Sequence, residues 1–301
     1  MAHHAKTFYW ANRLMPAEYR RDFAVLYAFC RVADDAVDEA PDAATAARDM
    51  AVLEADFASG RGELPVVRDF LVLCERRDID PAIPLELLKG IRGDIGGVHL
   101  QTERALMRYA YRVASTVGLM ACSILDVRHS DALAHAIDLG LGMQLTNIAR
   151  DVVEDYHNDK CYLPADRLDK AILQVAIERR DRHACDAVYQ AILQLVQSAQ
   201  IYYRSADAGM RYLPTWARWG ILTASRGYES IGRRIELLGA GYWEQRAFTS
   251  ARVKAWKTLG SGLALLLKGE YRDIPQPRAH DGQLHRHLDG LPGIHQPPVA
   301  P

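Results

Sequence analysis

Through most of the 301-residue chain apolar residues recur at three- and four-residue intervals, and alternating Val/Ile/Thr runs are scarce. That period belongs to helices buried along one face. Residues 19–37 place Phe23, Leu26, Tyr27, Cys30 and Val37 at helical spacing, and Pro41 stops the run. The same pattern predicts helices over residues 43–58, 66–77, 85–93, 106–124 and 131–155. Further helices are expected from residue 167 and over residues 186–209, 216–239 and 250–268. Gly140 and Gly142 fall inside the 131–155 segment. Each costs about 1 kcal/mol relative to alanine there, so a close backbone approach or a kink is expected. Residues 155–164 break the period and read as a loop, and from Asp273 the chain turns rich in proline and histidine. The organisation expected is one all-α domain over residues 1–272 and a disordered tail over residues 273–301.

Two predicted helices carry polar stripes that packing does not explain. Tyr27, Arg31, Asp34 and Asp38 are spaced 4, 3 and 4, and Gln144, Asn147, Asp151 and Asp155 are spaced 3, 4 and 4. Each quartet covers about three turns and lies along one side of its helix. Their neighbours are small or apolar: Val32, Ala33, Ala36 and Val37 in one case, Leu145, Ile148 and Val152 in the other. Either the stripes are solvated helix faces, or they face inward and need a partner. A hard divalent cation bridging carboxylates to phosphate is such a partner.

Bulk properties narrow the classes. Lys+Arg is 37 and Asp+Glu 38, a net charge of −1, which argues against a nucleic-acid partner. Five scattered cysteines without a CxxC suit a reduced, intracellular chain. The N-terminus lacks a signal-peptide apolar core, and no apolar run is long enough to span a bilayer.

The segments FAVLYAFCRVADDAVD, YRVASTVGLM and DLGLGMQLTNIARDVVEDYHNDKCYLP resemble the squalene/phytoene synthase family, and the similarity runs over residues 6–267. QLTNIARD with the following CYLP loop, and YESIGRRIELLGAGYWEQR later, are most similar to its bacterial phytoene synthase branch. The resemblance implies an all-α isoprenoid synthase fold, with helices around a central cavity and two aspartate-rich helices facing each other. It implies Mg²⁺, with Mn²⁺ as a substitute and no NADPH. The implied reaction joins two geranylgeranyl diphosphates head to head, through prephytoene diphosphate, to phytoene. The alternatives are a sister enzyme making presqualene diphosphate, squalene or dehydrosqualene from farnesyl diphosphate, and a non-catalytic assembly factor.

Under that resemblance Asp34, Asp38, Asn147, Asp151 and Asp155 are the metal ligands, with Arg31 and Tyr27 beside them. Diphosphate oxygens would be held by Arg31, Gln144, Asn147, Arg150, Tyr228 and Arg246. His4, Lys6 and Thr7 would join them, although Ala5 stands where the family often has serine. Tyr111 either faces the cavity or packs, and Tyr162 is a candidate lid residue. The 157–160 stretch reads as a solvated loop, and the late histidines as tail composition. Gly118, Leu119, Leu141 and Met143 suit either a prenyl tunnel or ordinary core packing. A cytoplasmic chain, peripheral at the inner membrane surface because substrate and product partition into lipid, is expected; the oligomeric state is left open.

Overall fold

A computed structural model describes residues 16–244 and 280–294. Ten α-helices are described: α1 (Ala17–Asp38), α2 (Ala43–Ser59), α3 (Pro65–Arg77), α4 (Ala82–Arg92), α5 (Glu103–Ala110), α6 (Thr116–Ile124), α7 (Ser130–His157), α8 (Lys170–Arg179), α9 (Arg182–Gly209) and α10 (Thr215–Leu238). A parallel pair of two-residue strands, β1 (Val98–His99) and β2 (Lys160–Cys161), is the described sheet, with Val98 opposite Lys160. The all-α expectation therefore holds. The helix expected over residues 250–268 lies outside the described residues.

Local chemistry sets the ends of several helices. The Asp42 side chain accepts from Thr45 N at 2.7 Å, capping α2, and Gly60 closes that helix at φ 67°. The buried Asp56 carboxylate accepts from the backbone N–H groups of Glu63 and Leu64, both at 2.8 Å, shaping the turn into α3. Asp181 caps α9, which starts earlier than the apolar period alone suggests. The segment expected as one helix over residues 106–124 is α5 and α6 joined by a π turn, Tyr111–Ser115. Gly140 explains that junction: a Cβ there would lie 2.5 Å from Ser115 Cα and 2.6 Å from Ser115 N. Only a glycine lets α7 cross the π turn so closely, and Ser115 Oγ donates to Ile137 O at 2.8 Å across the crossing.

On α1 the buried residues Asp22, Leu26, Phe29 and Ala33 repeat at the same 4, 3 and 4 spacing as the polar stripe, five positions away. Five residues turn a helix by about 140°, so the apolar stripe faces the core while the carboxylates face away from it. Phe29 stacks on Phe70 of α3 with centroids 3.9 Å apart, and Phe57 of α2 closes the cluster. Helix α7 is buried along most of its length, between α9, α10, α6 and the π turn. The two stripes thus sit on helices held rigidly by packing on their other faces.

The C-terminal composition misled in one respect. Residues 280–294 fold back on the helices, with Leu288 and Leu291 0% and 5% exposed. Arg108 donates to Asp289 O at 2.9 Å and Tyr202 Oη to Leu284 O at 3.2 Å. His280 and His285 face a carboxylate of α7, so for this stretch the disordered-tail expectation is corrected. No helix among the described residues is long and apolar enough to cross a membrane.

Candidate functional site

The polar stripes of α1 and α7 come together around two residues that the stripes do not contain. Lys160 Nζ lies 3.1 Å from Asp38 Oδ1 and 3.9 Å from Asp94 Oδ2. Asp94 follows α4 and also receives the hydroxyls of Tyr109 and Tyr162, each at 3.0 Å to Oδ2. Those two rings stack with centroids 4.7 Å apart. Glycines make the junction possible. Gly97 adopts φ 99°, and a Cβ on it would lie 2.9 Å from Asp159 Oδ2 and 3.0 Å from Asp159 O. That close pass lets Val98 N donate to Asp159 O at 3.1 Å, which starts the β1–β2 pairing and carries Lys160 up to Asp94.

The electrostatics record how tightly the carboxylates are grouped. Asp155 is pushed up to about 7, first by burial and then by Asp151, with Lys160 opposing and Asp94 adding to the rise. Asp34 is pushed up to about 6, first by burial and then by Asp38, with Arg31 opposing and Asp94 again raising it. Asp34 is itself exposed. Solvent therefore screens part of its repulsion with Asp38. Asp94 is raised as well, by burial first, against Lys160 and the two tyrosine hydroxyls. Aspartates of α1, of α7 and of the turn after α4 therefore feel one another. A positive charge entering between them would favour the ionised forms of Asp155 and Asp34.

The remaining polar atoms fit a cation and its ligand. Asp94 Oδ1 and Asn147 Oδ1 are buried with no hydrogen-bond partner among the described residues. An all-oxygen donor set with orphaned acceptors suits a hard divalent ion. Asn147 Nδ2 donates to Gln144 Oε1 at 3.3 Å, which orients both amides of the second stripe. Arg150 holds Asp151 through two hydrogen bonds, Nε to Oδ1 being 2.7 Å. Tyr228 of α10 lies against Asn147, Arg150 and Asp151, and its hydroxyl is raised chiefly by burial.

Several expectations are placed differently. Arg31 pairs with Asp35 and Glu39, at 2.6 and 3.2 Å, so it is not presented to the cleft unpaired. Tyr27 stands 69% exposed on the same side of α1, with no hydrogen bond to a described residue. The solvated-loop expectation is corrected at Lys160, whose side chain is 19% exposed and bridges Asp38 to Asp94. Tyr162 is buried beneath Asp94 and supports it, whereas a lid would lie over the site. Tyr111 packs, donating its hydroxyl to Pro292 O. Leu119 and Leu141, 1% and 0% exposed, are core residues. His4, Lys6, Thr7 and Arg246 lie outside the described residues. Asp94 and Tyr109 stand outside both stripes, and the local signal for Asp94 is its place in the glycine-rich run RGDIGG.

Known proteins agree with this architecture. The chain is 37% identical over 263 residues to a 15-cis-phytoene synthase of Paracoccus sp., covering 83% of this chain and 84% of that one. It is equally similar, at 37% over 263 residues, to the 15-cis-phytoene synthase of Enterobacter agglomerans, covering 83% and 88%. Among solved structures it superposes on a dehydrosqualene synthase in complex with ligand at TM-score 0.71 and 25% identity, covering 87% of this chain and 92% of that one. The fold is the all-α isoprenoid synthase fold. Residues 1–256 match the model of the squalene/phytoene synthase family, and the chain belongs to that family.

Proposed function

We propose that this enzyme is a prenyltransferase that condenses two geranylgeranyl diphosphates head to head into phytoene, with Mg²⁺ bound between the α1 and α7 stripes. The observation that carries the reading is the mutual crowding of Asp34, Asp38, Asp94, Asp151 and Asp155 around Lys160, a set that gains most from a divalent cation and a polyanion together. The curated relatives supply the product class.

Asp34, Asp38, Asp151, Asp155 and Asn147 would hold Mg²⁺, which, when bound, screens the charge that builds on the departing diphosphate. Lys160 adds a fixed cation at the same place, and Arg150, already oriented by Asp151, directs its guanidinium toward phosphate oxygens. His4, Lys6, Thr7, Tyr228 and Arg246 complete the diphosphate contacts in this reading. Loss of the allylic diphosphate leaves a carbocation, and the double bond of the second substrate attacks it. Proton loss closes a cyclopropane, giving prephytoene diphosphate. Its ionisation, rearrangement and a second proton loss give phytoene with no change in redox state, so NADPH is not needed. Because substrates and product are lipid-soluble, the enzyme works at a membrane surface.

The second reading, dehydrosqualene or squalene synthesis from farnesyl diphosphate, is favoured by the dehydrosqualene synthase superposition. Purified enzyme with Mg²⁺ and each diphosphate, with and without NADPH, separates the two. Phytoene from geranylgeranyl diphosphate alone is expected. A thirty-carbon product from farnesyl diphosphate as the sole efficient conversion overturns the assignment. Co-sedimentation with liposomes tests the membrane part; enzyme remaining wholly in the supernatant refutes it.

A further inference from the structure

At the opposite end of α7 a second cluster has the make-up of a transition-metal site. Asp138 is fully buried, and its two oxygens face His280 Nε2 at 2.8 Å and His285 Nε2 at 2.9 Å. His135, one turn earlier on α7, is 5% exposed, and its ring meets His280 edge-on with centroids 5.2 Å apart. Donor atoms of His135, Asp138 and His280 all lie within 4.8 Å of one another. His135 Nδ1 is hydrogen-bonded to Ser205 Oγ at 3.1 Å, while Nε2 is buried with no partner among the described residues. His135 Nδ1 lies 4.0 Å from Asp138 Oδ2, and a ring with one orphaned nitrogen, close to a buried carboxylate and two further imidazoles, is an unfinished coordination sphere.

We propose that His135, Asp138, His280 and His285 bind one Zn²⁺ that staples the C-terminal segment to α7. The spacing is that of a structural site: His-x2-Asp on one helix face, and His-x4-His brought in from a distant segment. Three imidazoles and one carboxylate select zinc over magnesium, which prefers oxygen ligands. Tetrahedral bonds of about 2.0–2.1 Å set ligand atoms about 3.3 Å apart. His280 Nε2 and Asp138 Oδ2, 2.8 Å apart, therefore need to open by only a few tenths of an ångström, whereas His285 Nε2 lies 2.9 Å from the other oxygen, Oδ1, and must turn further to reach the same ion. In the metal-free arrangement His280 and His285 donate Nε2–H to Asp138. On binding, each proton moves to Nδ1 of its own ring and Nε2 turns its lone pair to the ion. All four ligands are protein groups, which leaves no open position for chemistry. The role is a cross-link, independent of the aspartate cleft and of the reaction assigned to it.

The test uses the full chain, stripped with chelator and then titrated with Zn²⁺ in a large excess of Mg²⁺ that occupies the aspartate cleft. One zinc retained per chain by elemental analysis is expected. In the double variant His280→Ala/His285→Ala, affinity should fall at least about a hundredfold. Substitution with Co²⁺ in the parent chain should give the intense blue absorption of a tetrahedral nitrogen-rich site, a readout that needs no variant to fold. Failure to retain zinc, unchanged zinc affinity in the double variant, or only the weak pink of octahedral Co²⁺ overturns the proposal. Any of these would mark the cluster as a hydrogen-bonded latch.

Discussion

Asp155 and Asp138 lie on one face-buried helix, about 25 Å apart along its axis, and their environments have opposite effects. Asp155 is pushed up to about 7 by burial and by Asp151, whereas Asp138, more deeply buried, is held below the usual carboxylate range. The difference is the ratio of donors to like charges. Asp138 faces two histidine N–H groups and, among the described residues, no other carboxylate within bonding distance. Asp155 shares its surroundings with Asp151, Asp94 and Glu154, against one lysine. Burial alone therefore does not tell a structural carboxylate from one poised for a ligand. Without any ion Asp138 already has hydrogen-bond partners within the protein, whereas the charge on Asp155 is left crowded by like charges. The same contrast separates the described halves of α1, where Asp22 is buried against Arg77 at 2.7 Å while Asp34 and Asp38 crowd each other.

The largest expected effect lies on the unsatisfied side. Asp34→Ala or Asp151→Ala should lower turnover by about a thousandfold or more, because ion and leaving group lose a shared ligand. Helix content by circular dichroism should be unchanged. Near-normal rates at saturating Mg²⁺ would erase the distinction drawn here.

Next in size is one substitution made at both places. Asp138→Asn should destabilise the protein by about 2–4 kcal/mol, since it strands buried donors and removes the charge they solvate. Asp155→Asn should raise the stability of the metal-free protein at pH 8. The sign follows from linkage: Asp155 holds its proton to about pH 7 when folded, against about 3.9 when unfolded. The folded state thus takes up a proton first as pH falls, and the parent gains stability relative to the asparagine variant between pH 8 and 5. Thermal melts in EDTA should show that advantage shrinking toward pH 5. Asp155→Asn melting below the parent at pH 8 would contradict the unsatisfied-carboxylate reading.

Gly140→Ala should cost about 1–3 kcal/mol through overpacking, because the new Cβ meets the Ser115 backbone, which cannot swing aside as a side-chain tip can. A chemical denaturation midpoint unchanged from the parent would show that the α7 crossing has slack. The smallest effect belongs to Tyr162→Phe. It removes one of the two hydroxyls on Asp94 and should cost about 1 kcal/mol, with a several-fold loss of rate as Asp94 shifts. A loss as large as that of the aspartate variants would move Tyr162 from support to chemistry.

Much of this molecule was legible along the chain. Helical periodicity located α1 to α3, α7 and α10 to within a few residues, and the 4, 3, 4 and 3, 4, 4 spacings marked both acidic stripes. Such patterns are visible because side-chain direction within a helix repeats every 3.6 residues and needs no knowledge of neighbours. Gly140 announced a close approach, but not that its partner was the backbone of Ser115.

Tertiary structure decided what gathers between and behind the stripes. Lys160 reaches Asp94 only because Gly97 lets two short strands pair across 62 residues of sequence, and no local spacing encodes that meeting. Arg31 faces Asp35 and Glu39 because one turn of α1 offers it nearer carboxylates than the cleft does. His280 and His285 looked like tail composition until the fold set them on Asp138, 142 and 147 positions away. The chain by itself determined which residues share a face of a helix, a matter of backbone geometry. Which faces meet was settled by packing, through contacts between segments too distant in sequence for any period to link.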